Sequence, residues 1–160
     1  MLGDLIILLS VWFGAIMLLV LFTPRNKIRE ANLVFLFKQL MTWPIGLAVV
    51  ENHLIEYPVR EFTFATQTSF SFEYFIYPAT CVIFVLRYPE NKNLFYKICW
   101  HLFWPTWITI SEVLIERYTN LILYINWAWY WTWLSLSATF FISLVYYRWF
   151  FKKRNEKAST

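Results

Sequence analysis

Charged residues in this chain fall in short clusters, and between the clusters run long stretches with almost no charge. That spacing constrains the fold more than any other feature. A helix needs roughly 20 mostly apolar residues to cross about 30 Å of hydrocarbon. Segments at about 4–22, 32–50, 64–86, 94–115 and 123–150 meet this requirement. Short polar connectors separate them, and Pro24, Pro58 and Pro89 punctuate three of these connectors as helix breakers. The expected fold is therefore an all-α bundle of five transmembrane helices in a single domain, closed by a basic tail over 151–160. Composition agrees: 59% of the 160 residues are hydrophobic and only 15% charged, against about 25% charged in soluble domains. The lipid bilayer is the expected partner, together with a second copy or a membrane-complex subunit.

Basic residues set the orientation. Arg25, Lys27 and Arg29 follow the first span; Arg87, Lys92 and Lys97 follow the third; Arg148, Lys152, Lys153, Arg154 and Lys157 close the chain. The opposite side holds only Arg60 and Arg117. This alternation predicts the N-terminus outside and the C-terminus in the cytoplasm. The start, "MLGD", lacks the basic residues and cleavage pattern of a signal peptide, so the first span is expected to stay.

Polar residues inside the spans are the candidate site. Glu73 interrupts "SFSFEYFIYPATCVIFVL", and an ionisable group at membrane depth is costly unless it serves a purpose. At 100° per residue, Thr66, Ser69, Tyr77 and Thr80 fall within about 40° of Glu73, with Phe64, Phe75 and Val82 opposite and expected to face lipid. On the fourth span Lys97, Pro105, Glu112 and Glu116 share a face with His101. The fifth carries Thr132, Ser135, Thr139, Ser143 and Tyr146, spacing that permits close helix approach and cross-helix hydrogen bonds. The second adds Lys38 and Thr42, with Lys38 expected to snorkel toward the cytoplasm. The first looks lipid-facing. Glu73, His101, Lys38, Glu112 and Tyr77 are thus the expected binding residues, within a polar interior shared by the third, fourth and fifth helices.

Other features have plainer readings. Pro44, Pro78 and Pro105 lie inside spans, where each removes a backbone hydrogen bond. "NWAWYWTW" (126–133) reads as an interfacial aromatic belt, its tryptophans split over two helix faces. Cys81 and Cys99 sit in apolar stretches with no metal spacing and are expected to be buried and unpaired. The basic residues are dealt out loop by loop, so nucleic-acid binding is not expected. No GxSxG, HExxH or phosphate loop occurs; no catalytic residue, cofactor or metal is expected, and an enzymatic role is disfavoured.

"PRNKIREA" after the first span, "YPE" after the third, "YTNLILYINWAWYWTW" and the closing "YYRWF" resemble a group of small uncharacterised multi-pass membrane proteins from spore-forming Gram-positive bacteria. The resemblance implies a bacterial plasma membrane or spore membrane, and no residue roles. The leading expectation is a multi-pass protein that binds or passes a small solute or cation around Glu73. The alternatives are a non-catalytic interaction or scaffold subunit of a membrane complex, and a membrane enzyme on a lipid-like substrate with Glu73 and His101 as acid and base.

Overall fold

The computed structural model describes residues 2–158, with side chains over 3–151. Helix α1 spans Leu2–Phe22, α2 Ile28–Glu51, α3 Tyr77–Leu86, α4 Leu94–Tyr118 and α5 Trp129–Ala158. A single 3-10 turn, Arg25–Lys27, leads into α2. A wider π-type turn, Ser71–Ile76, runs directly into α3. Helices α1, α2, α4 and α5 are each long and apolar enough to cross a membrane. The basic tail expected over 151–160 continues α5 as far as Ala158, and the rest of it lies outside the described residues.

The third helix differs from expectation. The π turn and α3 together hold 6 and 10 residues, at most about 24 Å of helix. Every residue of α3 is buried. It stands in the centre, against α2 most closely and then α1, α5 and α4. Val82, expected to face lipid, is 1% exposed. A run that is mostly apolar on every side, with Tyr77 and Thr80 as its hydroxyl side chains, is what a helix surrounded by other helices requires. The four long helices instead expose side chains such as Leu9, Leu40, Trp107 and Leu134.

Residues 64–69, expected to be helical, form a loop. The reason is local. Phe62 sits in the left-handed region at φ 54, and the N–H groups of Ala65 and Thr66 turn back to its carbonyl. Arg60 staples the turn: Nε donates to the Thr66 carbonyl at 2.9 Å and Nη1 to the Tyr57 carbonyl at 2.8 Å. Thr66 Oγ1 accepts from the Thr68 N–H, the side-chain competition that draws Ser and Thr out of helices. Glu61 then accepts from both the backbone N–H and the hydroxyl of Ser71, a carboxylate at the positive end of a helix.

A minimal antiparallel ribbon ties the loops at this end of the bundle. In it β1 (Ile55–Glu56) pairs with β2 (Leu123–Tyr124), Ile55 opposite Tyr124. The Leu54 carbonyl accepts from Ile125 and Asn126, and the Val59 N–H donates to the Asn120 carbonyl. The fifth span accordingly starts at Trp129, not 123. The opposite, basic end is held by Arg87 Nε donating to the Phe22 carbonyl at 2.9 Å and by Arg148 gripping both oxygens of Glu90 at 2.8 and 2.9 Å.

Candidate functional site

Proline creates the central feature of the site. In a regular helix the Glu73 carbonyl would accept from the N–H of Tyr77. Across the π turn the Tyr77 N–H goes to the Phe72 carbonyl instead. The next residue is Pro78, which has no N–H. The Glu73 carbonyl is left without a helical donor, and Thr42 Oγ1 of α2 fills the gap at 2.6 Å. Pro78 would also have served the Tyr74 carbonyl, where Gln39 Nε2 donates at 2.7 Å. Two α2 side chains thus replace two missing backbone donors and lock α2 to the π turn.

The same contact positions the Glu73 side chain. It lies on the backbone of α2 at Gly46, so close that a Cβ there would stand 2.8 Å from Glu73 Cγ and Cδ. The carboxylate receives one long hydrogen bond, 3.4 Å from the Tyr57 hydroxyl. Its remaining face borders a cavity of about 50 Å³. Glu73, Tyr57, Tyr77, Glu112, Thr132 and Thr139 all line that cavity. A site of this size and polarity has room for a water or a small ion.

Glu112 is held very differently. Tyr77 donates to its Oε2 at 2.6 Å; Tyr124 and Thr132 donate to its Oε1 at 2.6 and 2.8 Å. Trp127 Nε1 donates to Thr132 Oγ1 at 2.8 Å, which aims the threonine proton at the carboxylate. Three hydroxyl donors match the acceptor capacity of an ionised carboxylate. Tyr57, from the loop after β1, closes the ribbon side. Burial, then the charges of Glu73 and Glu112, hold its phenol well above the ordinary tyrosine value of 10.0.

Lys38 does not snorkel. It is fully buried, its Nζ donating to Thr139 Oγ1 and lying 4.5 Å from the centre of the Phe140 ring. Thr139 passes its own proton to the Ser135 carbonyl, leaving a lone pair for the ammonium. The side chain of Lys38 points across the bundle to α5, where Thr139 offers an acceptor. No ion pair joins Lys38 to a carboxylate among the described residues; the cavity lies between.

Of the five expected site residues, Glu73, Glu112 and Tyr77 line one cavity, and Lys38 abuts it through Thr139. His101 is not brought to them. It is half-buried, with Nε2 3.2 Å from Ser137 Oγ, and lines a separate groove between α4 and α5. The acid–base pairing of Glu73 with His101 is thereby lost: one faces the internal cavity, the other the bundle flank. Thr66 and Ser69 drop from the Glu73 stripe because they belong to the loop. Cys81 is buried as expected, but Cys99 is exposed, on the outward face of α4. Tyr57, Tyr124, Trp127 and Gly46 are site residues that sequence reasoning missed. No cluster of three His, Cys, Asp or Glu side chains fit to hold a metal occurs among the described residues.

The chain matches no protein-family model, no curated protein and no solved structure.

Proposed function

We propose that this is an integral membrane protein that binds one small monovalent cation, or a primary ammonium group, in the cavity between Glu73 and Glu112. The observation that carries the proposal is a charge count. Deep in the bundle stand two carboxylates, Glu73 and Glu112, and one ammonium, Lys38. With all three ionised the sum is +1 − 2 = −1. An uncompensated charge is expensive in a low-dielectric interior. A proton on Glu73 or one monovalent cation beside it restores neutrality, and the cavity supplies carboxylate and hydroxyl oxygens for the cation. Lys38, Phe84 and Phe140 fill the interior on the basic side, so the site is reached from the ribbon end. The spans sit in a bacterial plasma or spore membrane with the ribbon end outside, a placement supported by the basic residues at the other end and by the resemblance to proteins of spore formers. The tryptophans of 126–133 then lie at the outer interface, with Trp127 turned inward to Thr132.

The test is thermal stability of the detergent-purified protein in sodium, potassium, ammonium and N-methylglucamine chlorides at one ionic strength. One or more small cations should raise Tm over N-methylglucamine in the parent, and not in Glu73→Gln. Equal Tm in all four salts overturns the cation reading. An interaction subunit is then the better account; the saturated cage around Glu112 favours it, because such a carboxylate serves as a strut without any ligand.

A further inference from the structure

The groove that holds His101 is unrelated to the cation cavity. It measures about 400 Å³ and lies between α4 and α5 at the basic end. Its walls are Leu94, Ile98, Leu102, Phe141 and Leu144; its mouth carries Tyr88, Lys97 and Arg148. Leu94, Ile98, Leu102 and Phe141 are 71, 48, 42 and 55% exposed, so the groove is open along its flank to whatever surrounds the bundle.

Two features of the mouth favour an anion, and a third closes it off. Lys97 stands in the first turn of α4 and makes no ion pair among the described residues. The N-terminus of α4 adds the positive end of a helix dipole. Arg148 is held in place over the Tyr88 ring, 4.9 Å from its centre, and by both oxygens of Glu90. Glu90 neutralises Arg148, so Lys97 and the helix end carry the unspent positive charge. Directly behind this charge the walls are apolar. His101 is the polar side chain in the depth of the groove, and it already faces Ser137.

We propose that this groove binds an anionic phospholipid, with its phosphate at Lys97, beside the neutralised Arg148–Glu90 pair, and one acyl chain laid along Ile98, Leu102 and Phe141. The charge complementarity selects the headgroup; the apolar walls select a lipid over a soluble anion. Basic pockets between helices on the cytoplasmic side are suited to this task.

Native mass spectrometry of the detergent-purified protein tests the proposal. Phosphatidylglycerol and phosphatidylcholine of identical chains are titrated separately, and inorganic phosphate is added as a third probe. Phosphatidylglycerol should bind at least several-fold more tightly than phosphatidylcholine. Lys97→Gln should weaken phosphatidylglycerol about fivefold, the equivalent of about 1 kcal/mol for one basic residue at a lipid surface, and leave phosphatidylcholine unchanged. Leu102→Trp, which fills the groove from its exposed side, should remove the preference altogether. Equal affinity for the two lipids in the parent overturns the proposal. So does a phosphatidylglycerol preference that survives both variants, or stabilisation by inorganic phosphate equal to that by the lipid. Lys97 is half-exposed, and its side chain makes no hydrogen bond or ion pair among the described residues, so its variant tests binding without disturbing the fold.

Discussion

Replacing Gly46 with alanine puts a methyl group 2.8 Å from Cγ and Cδ of Glu73 and 3.1 Å from its Oε1. Carbon atoms in contact prefer about 3.5–4.0 Å, so roughly 1 Å has to be made up. Overpacking of this kind costs about 1–3 kcal/mol, while alanine in a helix interior returns about 0.5–1 kcal/mol over glycine. The expected net effect of Gly46→Ala is a loss of about 1–2 kcal/mol, with the Glu73 carboxylate pushed into the cavity. The sign should reverse when the clashing side chain is removed. In a Glu73→Ala background only the helix gain is left, and Gly46→Ala should stabilise by about 0.5–1 kcal/mol. The four proteins form a double-mutant cycle with a coupling of about 2 kcal/mol. Thermal unfolding in one detergent reads it directly. An identical shift from Gly46→Ala in both backgrounds would refute the packing of Glu73 on α2, and with it the reason the carboxylate faces the cavity.

Three more expectations follow from the same contacts. Thr42→Val strands the Glu73 carbonyl and should cost about 1–3 kcal/mol; Thr42→Ser should cost far less, and adding Pro78→Ala to Thr42→Val should restore part of the loss by supplying a backbone N–H, all read as Tm. On the proposed charge count, Lys38→Met raises the interior deficit from one negative charge to two, so the dependence of Tm on small monovalent cations should become steeper; an unchanged dependence would break that count. The phenol of Tyr57 is raised by burial and by Glu73, so the unfolded chain loses that proton first as pH rises, and stability present below about pH 10 should fall above it. Tyr57→Phe should flatten this alkaline slope, which pH-dependent unfolding measures.

The long helices were legible in the sequence because hydropathy and basic clusters report them directly. The third was misplaced because hydropathy cannot tell an apolar loop from an apolar helix. Phe62, Phe64 and Phe70 extend the run, while the turn is dictated by Arg60 and the hydroxyl residues Thr66, Thr68 and Ser69. Glu73, Glu112 and Tyr77 were found through their cost in an apolar setting. Tyr57 and Tyr124 escaped because each lies in a connector, and only the ribbon pairing Ile55 with Tyr124 brings them over the cavity. Lys38 was read as reaching for water because the sequence does not reveal that Thr139 faces it. Gly46 carries no signal at all until Glu73 is seen resting on it.

The cage around Glu112 imposes an order on synthesis. Tyr77 precedes Glu112 by 35 residues, whereas Tyr124 and Thr132 follow it by 12 and 20. When α4 leaves the ribosome, two of the three donors for its carboxylate have not yet been made. Until then water supplies the missing hydrogen bonds, so the ribbon end of α4 stays wet until the following loop arrives. Closing the ribbon and seating α5 then dries the carboxylate in one step. A chain halted before Tyr124 would hold α1 to α4 with the site still unmade, and the ribbon and α5 are what seal it.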